Sequence, residues 1–220
     1  MIKDILDKYI DKIKKNYRIL DTGCGTGALM KEINNHHGVV FGVDVSEKAI
    51  NFCKKRGIGN LQIGSITNIP FADSSFDVVL DLDVLEHVKN DEQGILEIKR
   101  VLKKDGIAVF FVPAFMFLWG KADELGEHFR RYTLSGLTEK IKKSELFMVR
   151  SSYFNTFLFL PILFVRFIVR IFKIKIDSEN NMGSNFINEI LYVIFYIESL
   201  LLRLINFPFG VSIEVICKKI

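Results

Sequence analysis

Asp21, Gly23, Gly25 and Gly27 follow directly on the apolar pair Ile19 and Leu20. Three glycines at alternate positions let a chain turn sharply and bring its N–H groups close to a ligand. Asp21, at the end of a strand, puts negative charge where a cationic ligand group can sit. A second apolar run, 39–44, ends in Asp44. A carboxylate there can accept from two ribose hydroxyls. These residues describe a loop that holds a small adenosine-bearing cofactor. The glycines alone leave two cofactors open. They fit GxGxG, and with Ala28 they also fit GxGxxA, a variant of the dinucleotide fingerprint.

Two further groups of residues carry chemistry. Glu86 and His87 follow an apolar run at 76–81, and an imidazole with an unperturbed pKa near ~6.5 suits a general base or a substrate contact. Residues 119–133 hold Trp119, Asp123, Glu127, His128, Arg130, Arg131 and Tyr132. Such a cluster is costly to bury unless something pairs with it. Two guanidiniums suit a phosphate or carboxylate of a substrate. Asp123 or Glu127 is the alternative partner, which would make the segment an ion-paired loop capping the site. There is no HExxH spacing, and no metal is expected. Cys24, Cys53 and Cys217 are odd in number with no CxxC pair, so neither a zinc site nor a disulfide framework is expected. A reducing, cytoplasmic compartment fits that usage, and the N-terminus has no apolar core like that of a signal peptide.

The elements that must position these residues alternate. Helical spacing over 2–15 is followed by strands at 17–21, 39–44, 61–65, 76–81 and 106–113. Helices at 26–35, from Ser46 onward and at 91–103 separate them. This βαβα order predicts an α/β parallel sheet with helices on both faces and the ligand at the strands' C-terminal rim. A helix at 133–144 and strands at 146–153 and 211–217 complete the chain. The net charge of +4, from 30 Lys and Arg against 26 Asp and Glu, is too mild to argue for nucleic acid.

Residues 154–206 break the pattern with two apolar helices of about 20 residues separated by a polar stretch at 177–185, which reads as a loop. Arg166, Arg170 and Lys173 share one helical face and Pro161 interrupts the first half, which argues against a transmembrane span. A basic stripe beside a wide Phe, Leu and Ile face suits an anionic membrane interface. A lid over the active site and a homodimer interface are the other two readings.

Asp21, Gly23, Gly25, Gly27 and Asp44 are followed in order by Ile69, Pro70 and Phe71, then Ser75, Phe76 and Asp77, then Val84, Leu85, Glu86, His87 and Val88. This series resembles the class I S-adenosylmethionine methyltransferases, most closely the broad group that includes quinone-biosynthesis methyltransferases, over about residues 17–113. The resemblance implies a Rossmann-like seven-stranded sheet, mostly parallel with an antiparallel last strand, here with a two-helix insertion between the last two strands. It implies S-adenosyl-L-methionine as cofactor and S-adenosyl-L-homocysteine as product. Asp21, Gly23, Gly25, Gly27, Asp44, Val45, Ser65, Ile66 and Asp81 would then bind the cofactor. Ser65 stands where the family often has Asp. The segment from Trp119 to Tyr132, with Asn155, Pro161 and residues 206–210, resembles a subgroup with a Gly-His-x-Arg-Arg-Tyr signature. Glu127 stands at that glycine.

The expected activity is methyl transfer to a small or lipid-like acceptor, with an anionic group on it as one option and with O-, N- and C-methylation all open. His87, His128 and Tyr132 are the expected catalytic residues. Glu86, Trp119, Arg130 and Arg131 are the expected substrate contacts. An inactive binding protein on the same fold and a nicotinamide reductase are the alternatives. The domain expectation is 1–153 with 207–220 for methyl transfer and 154–206 as a hydrophobic subdomain.

Overall fold

A computed structural model describes residues 1–10, 16–34, 38–172 and 185–220. Seven strands form one sheet: β1 (Tyr17–Thr22), β2 (Gly38–Asp44), β3 (Leu61–Ile63), β4 (Phe76–Leu82), β5 (Leu102–Pro113), β6 (Phe147–Phe154) and β7 (Ser212–Lys218). Their order is β3-β2-β1-β4-β5-β7-β6. The pairs from β3 to β5 are parallel, whereas β7 runs antiparallel to both neighbours. This is the Rossmann-like methyltransferase arrangement, as expected. The central strands are buried along their length because helices cover both faces, which explains their unbroken apolar runs.

The helices are α1 (Ile2–Tyr9), α2 (Ala28–Ile33), α3 (Glu47–Lys55), α4 (Asp91–Val101), α5 (Lys121–Leu125), α6 (Leu134–Lys143), α7 (Phe159–Phe172) and α8 (Asn185–Leu202). Residues 11–15 and 177–184, expected as helix and loop, lie outside the described residues. Helix α2 starts two residues later than expected because Gly27 is its N-cap, at φ +75°. Ser46 caps α3 by accepting from the Ala49 amide, and Thr133 caps α6 by accepting from Gly136. Strand β5 begins at Leu102, which pairs with Phe76 across a register shift.

The two cores lie on opposite faces of the sheet. One gathers Phe76, Ile98, Phe110, Leu137 and Ile141 under α4 and α6. The other gathers Leu6, Ile19, Met30, Ile50 and Leu202 under α1, α2, α3 and the end of α8.

Helices α7 and α8 stand between β6 and β7. A buried carboxylate and a partly buried guanidinium tie them to the sheet. Glu198 of α8 is 2% exposed and accepts from the Thr156 and Phe157 amides, at 3.0 and 3.2 Å, at the entrance to α7. Arg150 of β6 donates to the Leu202 and Ile205 carbonyls and to Asn206 Oδ1 at the exit of α8. It also faces buried Glu214 of β7 at 3.4 Å. These bonds end α8 at Leu202, short of residue 206, because a cation there satisfies its last carbonyls. Removing Glu198 strands two N–H groups. Glu198→Ala is expected to cost about 1–3 kcal/mol in chemical denaturation, with α7 the first segment to gain protease sensitivity; unchanged proteolysis of α7 would contradict this anchor.

Candidate active site

Strand β1 lies between β2 and β4, so the chain leaves this strand and β4 on opposite sides and a crevice opens at their C-terminal ends. A cavity of about 490 Å³ occupies that crevice. Gly23, Asp44, Val45, Gly64, Ser65 and Ile66 line one end, and Asp83, Val84, His87, Val88, Glu127 and Phe129 line the other. A groove of about 540 Å³ between α1 and α8 is of similar size, but Met1, Asp4, Tyr192 and Arg203 line it, away from the glycine loop.

The loop can only be built with glycine at two points. Gly23 has φ +70°, and a Cβ there would stand 2.5 Å from Val84 Cγ2. Gly27 has φ +75°, and its Cβ would meet Ile58 at 2.5 Å and Cys53 Sγ at 2.8 Å. Asp44 fixes the loop from below. One carboxylate oxygen accepts from the Gly25 amide at 2.9 Å and the other from Ser46 at 2.8 Å. A carboxylate oxygen has lone-pair capacity beyond one bond, so Asp44, on the cavity wall, can still accept from a ligand's hydroxyls. Ser65 stands on the same wall and shares a 2.9 Å hydrogen bond with Thr67.

Of the expected cofactor residues, Gly23, Asp44, Val45, Ser65 and Ile66 reach the cavity. Asp21, Gly25, Gly27 and Asp81 stand outside its lining. Asp21 is buried beneath the loop, and that burial, with the nearby Asp44 charge, raises its pKa to about 7. Asp81 is fully buried and accepts from Thr22 Oγ1 at 2.9 Å, while its Oδ2 has no partner. Burial raises its pKa to about 8 even though the Thr22 bond opposes this. Asp83, two residues further, lines the wall in place of Asp81. The sequence reading missed it, because only the end of β4 at Leu82 and the turn at Asp83, φ +54°, bring it there.

The 119–133 segment folds back over the far end of the cavity, where the Phe129 amide donates to the Glu86 carbonyl at 2.8 Å. Its centre is Asp123, a fully buried carboxylate. Asp123 accepts from Arg131 Nε at 2.7 Å and from the Gly120 amide at 2.8 Å, and it meets His128 Nδ1 at 3.0 Å. Burial works against its charge, yet Arg131 and the Gly120 amide hold its pKa below the usual range. Arg130 pairs with Asp91 at 3.0 Å and donates to the Lys89 carbonyl. Tyr132 donates to Asp91 at 2.9 Å and is buried; burial and Asp91 raise its pKa, so the phenol stays protonated.

Arg130, Arg131 and Tyr132, expected at the substrate or the reaction, are thus engaged by Asp91 and Asp123, and none of the three lines the cavity. Trp119 also stands outside the lining. The physical reason is that Asp123 and Asp91 lie inside the same fold and need the cations for their own charge. The Glu127 backbone sits at φ +55°, a region that favours the glycine of the resembled signature.

His87, His128 and Glu86 do come together. The two imidazoles meet edge to face with centroids 4.5 Å apart, and His128 Nε2 stands 3.9 Å from Glu86 Oε1. Partial desolvation, then the His128 charge, lowers the His87 pKa below 6.5, so its ring is neutral at pH 7. Glu86 is buried, and burial raises its pKa to about 9.

Residues 20–110 match the family model described as a methyltransferase domain. Over those residues the chain carries a methyltransferase domain. An uncharacterised protein of Methanocaldococcus jannaschii is 32% identical over 157 residues, covering 69% of this chain and 63% of that protein. The ubiquinone biosynthesis O-methyltransferase of Pelagibacter ubique is 35% identical over 111 residues, covering 49% of this chain and 46% of that protein. The chain therefore spans about half the length of the curated relatives it matches.

Among solved structures, an S-adenosylmethionine-dependent methyltransferase of Archaeoglobus fulgidus superposes with a TM-score of 0.62 at 19% identity, covering 99% of this chain and 93% of that one. The phosphoethanolamine N-methyltransferase 2 of Haemonchus contortus, in complex with S-adenosyl-L-methionine, gives 0.65 at 19%, covering 99% and 51%. These likenesses show the fold. The cofactor of this methyltransferase domain is S-adenosylmethionine, and the site fits it: Gly23 leaves room that a Cβ would fill, and Asp44 offers acceptors on the cavity wall.

Two outcomes follow for the site. Asp44→Ala should weaken S-adenosylhomocysteine binding in calorimetry by about 1.5–3 kcal/mol, the usual worth of hydrogen bonds to a charged group; unchanged affinity would place the ligand elsewhere. Asp21 and Asp81 hold protons in the folded chain up to pH about 7 and about 8, whereas an exposed aspartate loses its proton at about pH 3.9. Stability is therefore highest near pH 4 with respect to these groups and falls as pH rises towards 8. Denaturation at a series of pH values should show that slope, and Asp81→Asn should flatten it.

Proposed function

We propose that this chain transfers a methyl group from S-adenosylmethionine to an amphiphilic, lipid-like acceptor taken from an anionic membrane surface. The observation that carries this reading is the position of the apolar insertion. Strand β6 ends at Phe154 beside Ser212, which pairs with Pro113 at the end of β5. The insertion therefore leaves the sheet from the same rim as the cavity. Phe159 of α7 packs on Phe115 and Phe117 of the loop after β5, and Arg170 donates to the Phe117 carbonyl.

The outer faces of these helices are apolar and bare. Leu160, Phe164, Phe167 and Phe172 on α7, and Tyr192 and Tyr196 on α8, are all more than half exposed. The charged residues at 154–176 are Arg166, Arg170, Lys173 and Lys175, with no acidic residue among them. Among the described residues no helix is long and apolar enough to cross a membrane. The α7 face, apolar and bordered by Arg and Lys, suits the interface of an anionic bilayer, while Glu189 is exposed on α8. The quinone-biosynthesis relative, named an O-methyltransferase, supports a hydrophobic acceptor. Arg130 and Arg131 give an anionic acceptor no support, since Asp91 and Asp123 engage them.

The bound cofactor supplies an already activated methyl group, so the protein's task is alignment, exclusion of water and removal of a proton where the acceptor carries one. Asp44 and the loop amides orient the adenosine end. His87 is the neutral imidazole on the opposite wall, beside Val88 and Phe129, and is the group there that can accept a proton.

Flotation with vesicles containing anionic lipid tests the reading. Binding should be lost in high salt, lost in purely zwitterionic vesicles, and weakened by Phe164→Ser with Phe167→Ser. Methyl transfer from labelled cofactor to a vesicle lipid extract should follow the same pattern. Binding that ignores both salt and the double substitution would overturn the membrane reading and leave cofactor binding untouched.

A further inference from the structure

The residues at the far end of the cavity hold a feature that methyl transfer from a sulfonium does not itself require. Glu86 is fully buried, and neither carboxylate oxygen has a hydrogen-bond partner. A buried carboxyl left in this way is costly and needs a reason. Its own backbone amide is the polar group beside it, Asp83, Asp81 and Arg131 are charged neighbours, and His128 Nε2 stands 3.9 Å from its Oε1. One ligand atom from each of Glu86, His87 and His128 falls within 4.8 Å of the others.

Both rings are already oriented from behind. His128 meets the Asp123 carboxylate through Nδ1, which leaves Nε2 aimed at Glu86. Arg131 and the Gly120 amide fix Asp123 in turn. His87 makes a backbone hydrogen bond with Gly126. A Cβ at Gly126 would come within 2.9 Å of His128 Nε2, so glycine keeps that nitrogen approachable. An imidazole held by a carboxylate on one nitrogen and free on the other is the usual second-shell arrangement of a metal-ligating histidine.

We propose that Glu86, His87 and His128 bind one divalent transition cation of the zinc type at the end of the methyl-transfer cavity. Two imidazoles and a carboxylate are a known catalytic ligand set for such ions, with the fourth position left open. Bonds of about 2.1 Å in a tetrahedron put ligand atoms about 3.4 Å apart. The His128 to Glu86 distance of 3.9 Å needs only a small side-chain rotation to reach that. His87 lines the cavity, so the open position faces the acceptor. The cation supplies Glu86 with the partner it lacks, and an acceptor hydroxyl at the open position would be polarised. The inference rests on the cavity being the methyl-transfer site, but the binding itself does not.

Cobalt titration of the chelator-treated full chain tests it. One Co²⁺ per chain should bind with a visible ligand-field band, and excess Zn²⁺ should remove the band. His87→Ala and His128→Ala should each abolish it. Asp123→Asn should weaken binding about 10–100-fold, the usual effect of losing a second-shell carboxylate. His36→Ala with His37→Ala should change nothing. Circular dichroism and S-adenosylhomocysteine calorimetry on each variant separate lost metal from lost fold or lost cofactor. A band that survives both His87→Ala and His128→Ala, or that disappears with His36→Ala and His37→Ala, would overturn the proposal. So would a folded, cofactor-binding parent chain that takes up no Co²⁺. In that last case His87 would remain a proton acceptor, and methyl transfer would stand.

Discussion

The adjacency of β1 and β4 governs the rest of this structure. These two parallel strands pair from Ile19 with Val78 to Thr22 with Asp81, so their C-terminal ends fall level. The chain leaves β1 through the glycine loop and leaves β4 through Asp83 and the turn at Leu85–His87. Those two exits face each other across one crevice. The walls of the cavity hang from one side or the other: the loop and Asp44 on the first, His87 and the 119–133 segment on the second. The crowding of Gly23 against Val84 shows how closely the two exits approach.

A second layer of order comes from buried carboxylates. Asp123 and Asp91 lie inside the fold, and each takes its partners from the 128–132 run. A buried charge is tolerated only when it is paired and hydrogen-bonded, so Arg130, Arg131 and Tyr132 are drawn inward. This pulls His128 and Phe129 across the crevice and closes its far end. Glu198 and Arg150 do the same for the insertion, fixing the entry of α7 and the exit of α8 to the edge of the sheet. In each case one buried ionic group sets the path of a segment whose outer surface is free to meet an acceptor or a lipid.

Much of the fold could be read along the chain. The period and length of the apolar runs mark seven strands: the central parallel ones are continuously apolar because both faces are covered, while the antiparallel β7 shows alternation. The Ser46 and Thr133 caps mark two helix starts. The glycine loop and Asp44 mark the cofactor end of the cavity, since close approach of backbone to ligand demands glycine at fixed spacing. Less of the acceptor end was legible. Arg130 and Arg131 have the composition of an anion site, and composition does not say which carboxylate lies nearer. Asp81 and Asp83 are two residues apart, and the end of β4 decides which of them meets the cavity.

The sequence by itself determined the layer architecture and the rim on which a cofactor lies, because these depend on local periodicity and on glycine at short range; which cofactor lies there followed from the resemblance of the ordered motifs to class I methyltransferases. The tertiary structure alone decided who pairs with whom at long range. It turned Arg130, Arg131 and Tyr132 inward, and it brought Glu86 and His87 against His128, more than forty positions away. It also led the insertion off the sheet at the same rim as the cavity. Charge pairing and imidazole orientation depend on distances of a few ångströms between segments that chain order does not relate, so only the folded chain could settle them.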